Sequence, residues 1–313
     1  MTTFTQYEEY LSHVLQYGRS KTDRTNTGTV SVFGYQMRWN LQHGFPLVTT
    51  KKLSLKSIIA ELIWFLEGST DNNRLRELGA TIWDEWAAED GSLGPIYGQQ
   101  WRAWRGAGEP YTDSDSLNTT VRIDQIQEAL NILKKSPDSR RIVVNSWNVA
   151  DLPEMSLLPC HCLFQLNTEV ATVEERELYV RSQYGPDTLI DLAATHEEFD
   201  KAGVPKLRCN LQLYQRSCDS FLGVPYNIAS YSALCMMFAQ QADMIPGDFI
   251  WTGGDCHIYS NHMEQVMLQL GRSPYPAPDL KIQKAPSMFE YKLEDFQLNN
   301  YLSHPVIRGE VAV

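Results

Sequence analysis

Three features are missing from this chain of 313 residues, and each absence narrows what it does. No apolar run approaches the length of a membrane span, and the opening residues MTTFTQYEEYLSHVL lack the basic head and apolar core of a secretory signal. Basic residues are not in excess either. The net charge of −11 argues against a nucleic-acid binder, although local arginines are enough to hold a small anion. We therefore expect a cytoplasmic globular protein with no membrane attachment and no obligatory nucleic-acid partner.

The six cysteines include no C-x-x-C pair, and without a signal sequence they are expected to be free thiols. The segment LLPCHCLFQLN, residues 157 to 167, poses a sharper question. If it is a strand, Cys160 and Cys162 share one face and His161 points away, so a metal would lack ligands. Two alternatives remain from these residues alone: both cysteines are buried structural thiols, or Cys160 is a nucleophile that Pro159 places at a cleft.

Hydrophobic spacing predicts three helices. The segment 54–68 has apolar residues on nearly every side with Glu61 inside it, which is typical of a buried helix. A second helix is expected over about 228–241. A third, over about 262–270, would carry one apolar face. That face consists of Met263, Val266, Met267 and Leu270.

Three strands are also predicted, at 140–147, 160–166 and 207–216. In the last of them Leu207, Cys209, Leu211 and Leu213 alternate with polar residues, which predicts one buried face. Strands and helices do not alternate regularly, so the fold class is expected to be α+β.

Two polar stretches interrupt the pattern, at 105–120 and at about 167–206. The second contains nine acidic and four basic residues, so its net charge is −5. We interpret both as surface excursions from a single domain spanning 1–313.

With these segments in view, the chain resembles thymidylate synthases nearly end to end. The motifs that carry the resemblance are DRTNTGT (23–29), FPLVTTKK (45–52), ELIWFLEG (61–68), TIWDEWA (81–87), LGPIYGQQWRAW (93–104), PDSRRIVVNSWN (137–148), LPCHCLFQ (158–165), LQLYQRSCDSFLGVPYNIASY (211–231), GDFIWTGGDCHIYSNH (247–262) and HPVIRGEVAV (304–313). The acidic stretch at about 167–206 is not covered, and it is expected to be an insertion. The resemblance implies a mixed β-sheet packed by helices in one domain, and a homodimer formed sheet to sheet.

The resemblance also implies a reaction. In this family dUMP is methylated to dTMP by 5,10-methylenetetrahydrofolate, a co-substrate that leaves as dihydrofolate, and no metal takes part. Cys160 matches the thiolate that adds to uracil C6, and Arg216 is expected to favour that thiolate. Glu61 matches the acid that manages protons at uracil O4, and Tyr97 with His161 matches a water-holding pair. Asp219 completes the catalytic set and also matches the acid that holds the pterin.

Residues that match the dUMP contacts of the family are Arg24, Arg140, Arg141, Arg216, Ser217, Cys218, Asp219, Asn227, His257 and Tyr259. The resemblance implies that Arg140 and Arg141 reach across from the partner subunit. From the residues alone, several assignments compete with a purely structural role. The arginines of SRR and QRS could lie at solvated strand ends, and Asn227 could cap a helix. Asp219 could form an ordinary Asx turn, and Glu61 of the catalytic set could be a hydrogen-bonded buried acid.

Residues that match the folate contacts are Lys51, Ser54, Ile82, Trp83, Trp86, Asp219, Leu222, Gly223, Tyr226 and Ala312. Ser54 occupies a position where many members have histidine, and Lys51 is a candidate contact for a polyglutamate tail. Trp83 matches the aromatic residue that directs the intermediate toward reduction. The carboxyl-terminal EVAV matches a tail that closes over both ligands.

Two other functions compete with this interpretation. A dUMP hydroxymethylase would share the thiolate addition but trap the methylene with water. Trp83, Tyr97 and the intact tail argue against it. A non-catalytic nucleotide-binding or RNA-binding dimer is the alternative from another class. Cys160 and the arginine set argue against the first form, and the acidic charge argues against the second.

Overall fold

The computed structural model describes residues 2–22, 27–105, 122–185 and 195–311. The helices within these ranges are α1 (Gln6–Tyr17), α2 (Leu55–Leu66), α3 (Asn72–Glu77), α4 (Tyr97–Ala103), α5 (Gln125–Lys135), α6 (Val173–Tyr184), α7 (His196–Lys201), α8 (Gly223–Gln241) and α9 (Met263–Leu270). The strands are β1 (Arg19–Lys21), β2 (Thr29–Asn40), β3 (Trp104–Arg105), β4 (Arg122–Ile123), β5 (Val143–Asn145), β6 (His161–Val170), β7 (Leu207–Asp219), β8 (Ile245–Tyr259), β9 (Asp279–Ile282) and β10 (Phe296–Asn299).

A six-stranded mixed sheet forms the centre, in the order β1-β2-β8-β7-β6-β5. All neighbours are antiparallel except β7 and β8, which run parallel and are joined through α8. Parallel neighbours need a crossover of this kind, since a short turn cannot return the chain to the same end of the sheet. The fold is therefore α+β with a mixed sheet, as predicted.

Helix α8 is the core of the molecule. Fifteen of its nineteen residues are buried, and it packs on β7, β8 and α2. It begins at Gly223, five residues earlier than the sequence indicates. Pro225 is compatible with the first turn because that turn needs no amide donor there. Consequently Asn227 lies inside the helix, and the interpretation of Asn227 as its N-cap is wrong.

Part of the way along β7 and β8, the alternating set of residues that faces the core gives way to the other set. In β7 Leu213 is buried and the next apolar core residue is Cys218, while in β8 the corresponding residues are Trp251 and Cys256. The two residues of each pair are five positions apart, an odd spacing that ordinary alternation would place on opposite faces. The change falls at Gly253–Gly254. There a Cβ on Gly253 would lie 2.3 Å from the Trp251 ring, and one on Gly254 would lie 2.9 Å from the Arg216 carbonyl.

A related irregularity corrects the prediction for His161. The register of β6 against β7 shifts between His161 and Leu163. As a result His161 packs edge-on against Tyr231 of α8, the same ring that Phe164 contacts. His161 therefore points to the helix side rather than away from Phe164, because a bulge adds one residue to the alternation.

The remaining predicted elements are confirmed with adjusted ends. Helix α2 is buried on nearly all sides, and Leu211 and Leu213 face the core. The strand expected at 140–147 is shorter, at Val143–Asn145. In α9 Val266 is buried, but Met267 is exposed and does not belong to the apolar face.

The acidic stretch contains organised structure. It begins inside β6 and returns just before β7, and it carries α6 and α7, each opened by a threonine capping box. Arg176 of α6 is only 1% exposed and donates to the carbonyls of His196 and Val204 and to the Asp200 carboxylate. Arg208 of β7 binds Glu175 of α6 and Asp248 of β8, which ties the acidic stretch to the sheet.

The face of the sheet opposite α8 carries exposed apolar side chains. Phe33 is 82% exposed, and Val143, Leu163 and Tyr214 are also exposed. Between them Gln36 and Gln212 both donate to the Thr252 hydroxyl, which links three strands. Apolar side chains gathered on one sheet face are typical of an interaction surface.

Candidate active site

Cys160 precedes β6 and is held by its backbone on both sides. Its N–H donates to the Tyr97 hydroxyl at 2.7 Å, and its carbonyl accepts the Arg216 N–H at 2.8 Å. The Tyr97 hydroxyl also accepts the His161 N–H at 3.3 Å. Three residues that the sequence assigns to catalysis therefore meet around the half-buried Cys160 thiol.

The electrostatics of Cys160 differ from the sequence-based expectation. Burial raises the pKa of the thiol, and the Arg216 charge and a Ser217 hydrogen bond lower it by less. The resemblance implies that Arg216 depresses the pKa, but desolvation outweighs its effect in the structure without ligands. A thiol in this state is protonated at neutral pH.

Arg216 is fixed at three points. Its Nε donates to the Pro159 carbonyl at 2.8 Å, and its Nη2 donates to the Leu158 carbonyl at 3.0 Å. The guanidinium lies over the Trp147 ring at 5.1 Å. These contacts hold a positive charge beside the segment that carries Cys160. Sequence reasoning does not identify Trp147, since nothing local to its motif indicates the stacking.

Glu61 is buried in α2, and its Oε1 accepts the Trp83 indole N–H at 2.6 Å. Burial raises the pKa of Glu61 to about 7, although the bond from Trp83 opposes the rise. A carboxyl with a pKa near neutrality both accepts and donates a proton at working pH, which suits general acid–base chemistry.

His161 is buried, and its ring lies 5.0 Å from that of Tyr97. Burial lowers the pKa of His161 to about 4, although a hydrogen bond with Asn227 raises it slightly. The imidazole is therefore neutral at pH 7. Its Nδ1 is buried without a hydrogen-bond partner among the described residues, as a group that binds water or substrate would be.

Asn227 projects from the first turns of α8, and its amide orientation is fixed. The Trp251 indole donates to Gln215 Oε1 at 2.8 Å, which leaves Gln215 Nε2 to donate to Asn227 Oδ1 at 2.9 Å. Oδ1 is therefore the acceptor and Nδ2 the donor of the Asn227 amide. Gln215 and Trp251 are missed from sequence because their role depends on pairing across strands.

Asp219 ends β7, and its Oδ1 accepts the backbone N–H groups of Phe221 and Leu222, each at 3.0 Å. This is the Asx turn that the sequence allows, and it leads the chain into α8. Cys218, by contrast, is fully buried and its thiol donates to the Gln215 carbonyl. Its side chain does not face a ligand, so any nucleotide contact at this position is through the backbone.

His257 lies next to Asp219 in the register of β8 against β7, and Ser217 lies next to Asp255. The His257 Nδ1 is 3.2 Å from the Asp255 carbonyl and 3.3 Å from its Oδ1. Asp255 also pairs with Lys21 of β1 at 2.9 Å. The rings of His257 and Tyr259 meet edge to face at 5.0 Å.

The residues matched to folate line the region between α2 and the start of α8. Trp83 is buried against Trp86 at 5.8 Å, while Ile82 is exposed beside them. Leu222, Gly223 and Tyr226 belong to the start of α8. Ser54 caps α2 by accepting the Ser57 N–H at 3.2 Å.

Lys51 is buried rather than surface-exposed. Its ammonium lies 3.5 Å from the centroid of the Phe221 ring and donates to the Phe221 carbonyl. Burial lowers the pKa of Lys51 to about 7, and Asp219 raises it by less. This inward orientation is unlike that of a residue that contacts a polyglutamate tail at the surface.

Arg140 and Arg141 are exposed and lie far from Cys160 of the same chain. They precede β5, whose Val143 pairs with Gln165 of β6. Cys160 lies five residues before Gln165, which corresponds to roughly 17 Å at the rise of a strand. Arg24 and Ala312 lie outside the described residues. Before Ala312, the Glu310 carbonyl lies 2.8 Å from His262 Nε2.

The described ranges contain no group of three or more His, Cys, Asp or Glu residues arranged to hold a metal ion. In the same ranges no helix has the length and apolar character to cross a bilayer. A comparison with models of protein families matches residues 5–313 to the family described as thymidylate synthase.

Proposed function

Because the chain belongs to the thymidylate synthase family, a family of methyltransferases, we propose that it converts dUMP to dTMP. The co-substrate 5,10-methylenetetrahydrofolate would supply both the one-carbon unit and the hydride, and would leave as dihydrofolate. The observation that carries the proposal is the position of Cys160, held between Tyr97 and the backbone of Arg216.

The first step is addition of the Cys160 sulfur to uracil C6. The thiol must lose its proton, and its pKa is raised by burial in the free protein. The proton would pass to solvent, and the Arg216 guanidinium, held beside Cys160 by the Pro159 and Leu158 carbonyls, would stabilise the thiolate as it attacks. The addition moves an electron pair to uracil C5 and O4, which makes C5 the nucleophile.

Asn227 and Glu61 would manage the uracil. With Oδ1 fixed as acceptor and Nδ2 as donor, the Asn227 amide complements uracil N3–H and O4. Cytosine offers the opposite pattern at both atoms. Glu61, with its pKa near 7, would give a proton toward O4 as negative charge develops there and take it back later.

The folate would lie against Trp83, Leu222 and Tyr226, with Asp219 holding the pterin through the oxygen not used in its turn. Trp83 is oriented by its bond to Glu61, so the same contact places an aromatic wall beside the proton donor. This arrangement favours the synthase over the dUMP hydroxymethylase alternative, because an enclosed wall keeps water from the exocyclic carbon.

The active unit would be a homodimer formed through the exposed sheet face that contains Phe33, Leu163 and Tyr214. The separation of Arg140 and Arg141 from Cys160 along β6 supports this, because the strand holds their backbone away from the sulfur of the same chain. Two-fold symmetry would place the pair from each subunit at the other's site.

A spectrophotometric assay tests the activity. Incubation with dUMP and methylenetetrahydrofolate should raise absorbance at the dihydrofolate band, and a hydroxymethylase would turn over dUMP without that rise. Cys160→Ala should bind dUMP but abolish turnover, with Cys162→Ala as the matched control. Mass spectrometry with 5-fluoro-dUMP and the folate should find an adduct on the Cys160 peptide. An active Cys160→Ala enzyme would end the proposal.

A further inference from the structure

One ion-paired cluster beside the nucleotide site has no role in the chemistry described so far. Asp255 lies on β8 two residues before His257, and both of its carboxylate oxygens are engaged. Oδ1 is 3.3 Å from His257 Nδ1, and Oδ2 is 2.9 Å from Lys21 Nζ. Asp255 is therefore shared between the strand that carries His257 and the edge strand β1.

The contacts of His257 determine where its ring proton lies. Nδ1 faces two acceptors, the Asp255 carbonyl at 3.2 Å and the Asp255 carboxylate. A neutral imidazole carries one N–H, and a nitrogen between two acceptors must be the donor. Nε2 is then the unprotonated nitrogen, and it can only accept a hydrogen bond.

Lys21 connects the cluster to strand β1. It is the last residue of β1, the edge strand of the sheet. Hydrogen bonds from His257 and Lys21 hold the pKa of Asp255 at about 2, so the carboxylate remains charged at every working pH.

We propose that Asp255 is a positioning residue for nucleotide recognition. Its carboxylate and carbonyl hold His257 as the Nδ1–H tautomer, so that Nε2 accepts a hydrogen bond from the 3′-hydroxyl of the nucleotide. Its other oxygen pairs with Lys21, which holds the carboxylate in place. This inference rests on the proposed function, since the contact of His257 with the 3′-hydroxyl of dUMP is what the family resemblance implies.

The test compares dUMP with 2′,3′-dideoxy-UMP, which lacks the hydroxyl. The native enzyme should lose about 10–100-fold in kcat/KM with the analogue, because a buried acceptor is left unpaired. Asp255→Ala should lose about 10-fold in kcat/KM with dUMP, mostly through a higher KM. Its kcat/KM values for dUMP and for the analogue should then differ by no more than about 3-fold. If Asp255 had only a structural role, the substitution would lower kcat/KM equally for both substrates and leave their ratio unchanged. That result would overturn the inference.

Three further variants separate the two arms of the cluster. Asp255→Asn keeps an acceptor for Nδ1–H, so it should retain the native ratio. Lys21→Met should retain the ratio too, because it leaves both Asp255 acceptors of His257 in place. Asp243→Asn, which removes an exposed carboxylate paired with Lys284, is the control and should match the native enzyme. Loss of the ratio in Asp255→Asn would contradict the tautomer argument.

A spectroscopic measurement keeps this inference separable from the proposed function. In protein labelled with ¹⁵N-histidine, His257 should show a protonated Nδ1 and an unprotonated Nε2 at pH 7.5, and Asp255→Ala should shift that balance. The opposite tautomer in the native protein would overturn the inference even if dUMP is converted. A native protein that fails to convert dUMP would instead overturn the proposed function, whatever the spectrum shows.

Discussion

At the scale of single residues, burial is the dominant electrostatic influence in the site. It raises the pKa of Cys160 and of Glu61 and lowers that of His161. At neutral pH Cys160 and His161 are therefore uncharged, and Glu61 is about half ionised. A bound nucleotide would bring its charged phosphate into the site, where Arg216 and the Asn227 amide are already held in fixed orientations.

Glu61 should leave a signature in stability. Its pKa is about 7 in the folded protein and about 4.5 when unfolded, so between these values the folded state binds more protons. Stability from this group is full below pH 4.5 and is lost as pH rises toward 7. Relative to Glu61→Gln, the native protein should lose melting temperature across that window in thermal unfolding. His161, whose pKa is lowered, contributes the opposite slope equally to both proteins and cancels in the comparison.

The same substitution should reduce kcat by about 100-fold or more, since an amide cannot exchange a proton with uracil O4. A Glu61→Gln enzyme with native kcat would show that Glu61 is only a hydrogen-bonded buried acid.

At the scale of elements, Arg176 of α6 holds α6 and α7 of the acidic stretch together. Arg176→Ala would leave the His196 and Val204 carbonyls unpaired, at a cost of about 1–3 kcal/mol each if they stay buried. Hydrogen exchange should therefore speed up in α6 and α7 while turnover of dUMP stays within about 2-fold. The exposed Lys201→Ala is the matched control. Loss of activity in Arg176→Ala alone would connect the insertion to catalysis.

The sequence predicts a helix or strand where its apolar residues follow a single period. Helix α2 and the buried face of β7 follow from apolar spacing, and α8 is found with its start misplaced. The start is missed because Asp219 and Pro225 set it, and their turn geometry is not periodic. The predicted side for His161 is wrong for a similar reason, since a single bulge reverses every later position in an alternating pattern.

For the site, the residue identities come from the resemblance, and the structure brings most of the described ones together. What the sequence does not provide is the support around them. Gln215, Trp251, Trp147 and Asp255 act through contacts between strands that are distant in the chain. Such contacts become visible only when the register of the sheet is known.

At the scale of the whole molecule, the dimer is the feature on which activity should depend. A mixture of Cys160→Ala and Arg140→Ala/Arg141→Ala proteins, unfolded and refolded together, should recover about 25% of native activity. Half of the dimers would be mixed, and each would hold one site with Cys160 from one subunit and both arginines from the other.

If the arginines served their own chain, every site in that mixture would lack either the sulfur or the guanidinium pair, and no activity would return. Sedimentation of Tyr214→Asp, which places a charge on the exposed sheet face, should show a monomer with little turnover. An active monomer would remove the need for a partner.

The hairpin of β6 and β7 has a practical consequence. The two strands bring Cys160 and Arg216 together at one end of the hairpin. The acidic stretch connects the strands at the other end, roughly 30 Å away. Chain added at that tip is remote from the chemistry. A fluorescent or affinity module inserted between 171 and 206 should therefore label the enzyme without contacting Cys160.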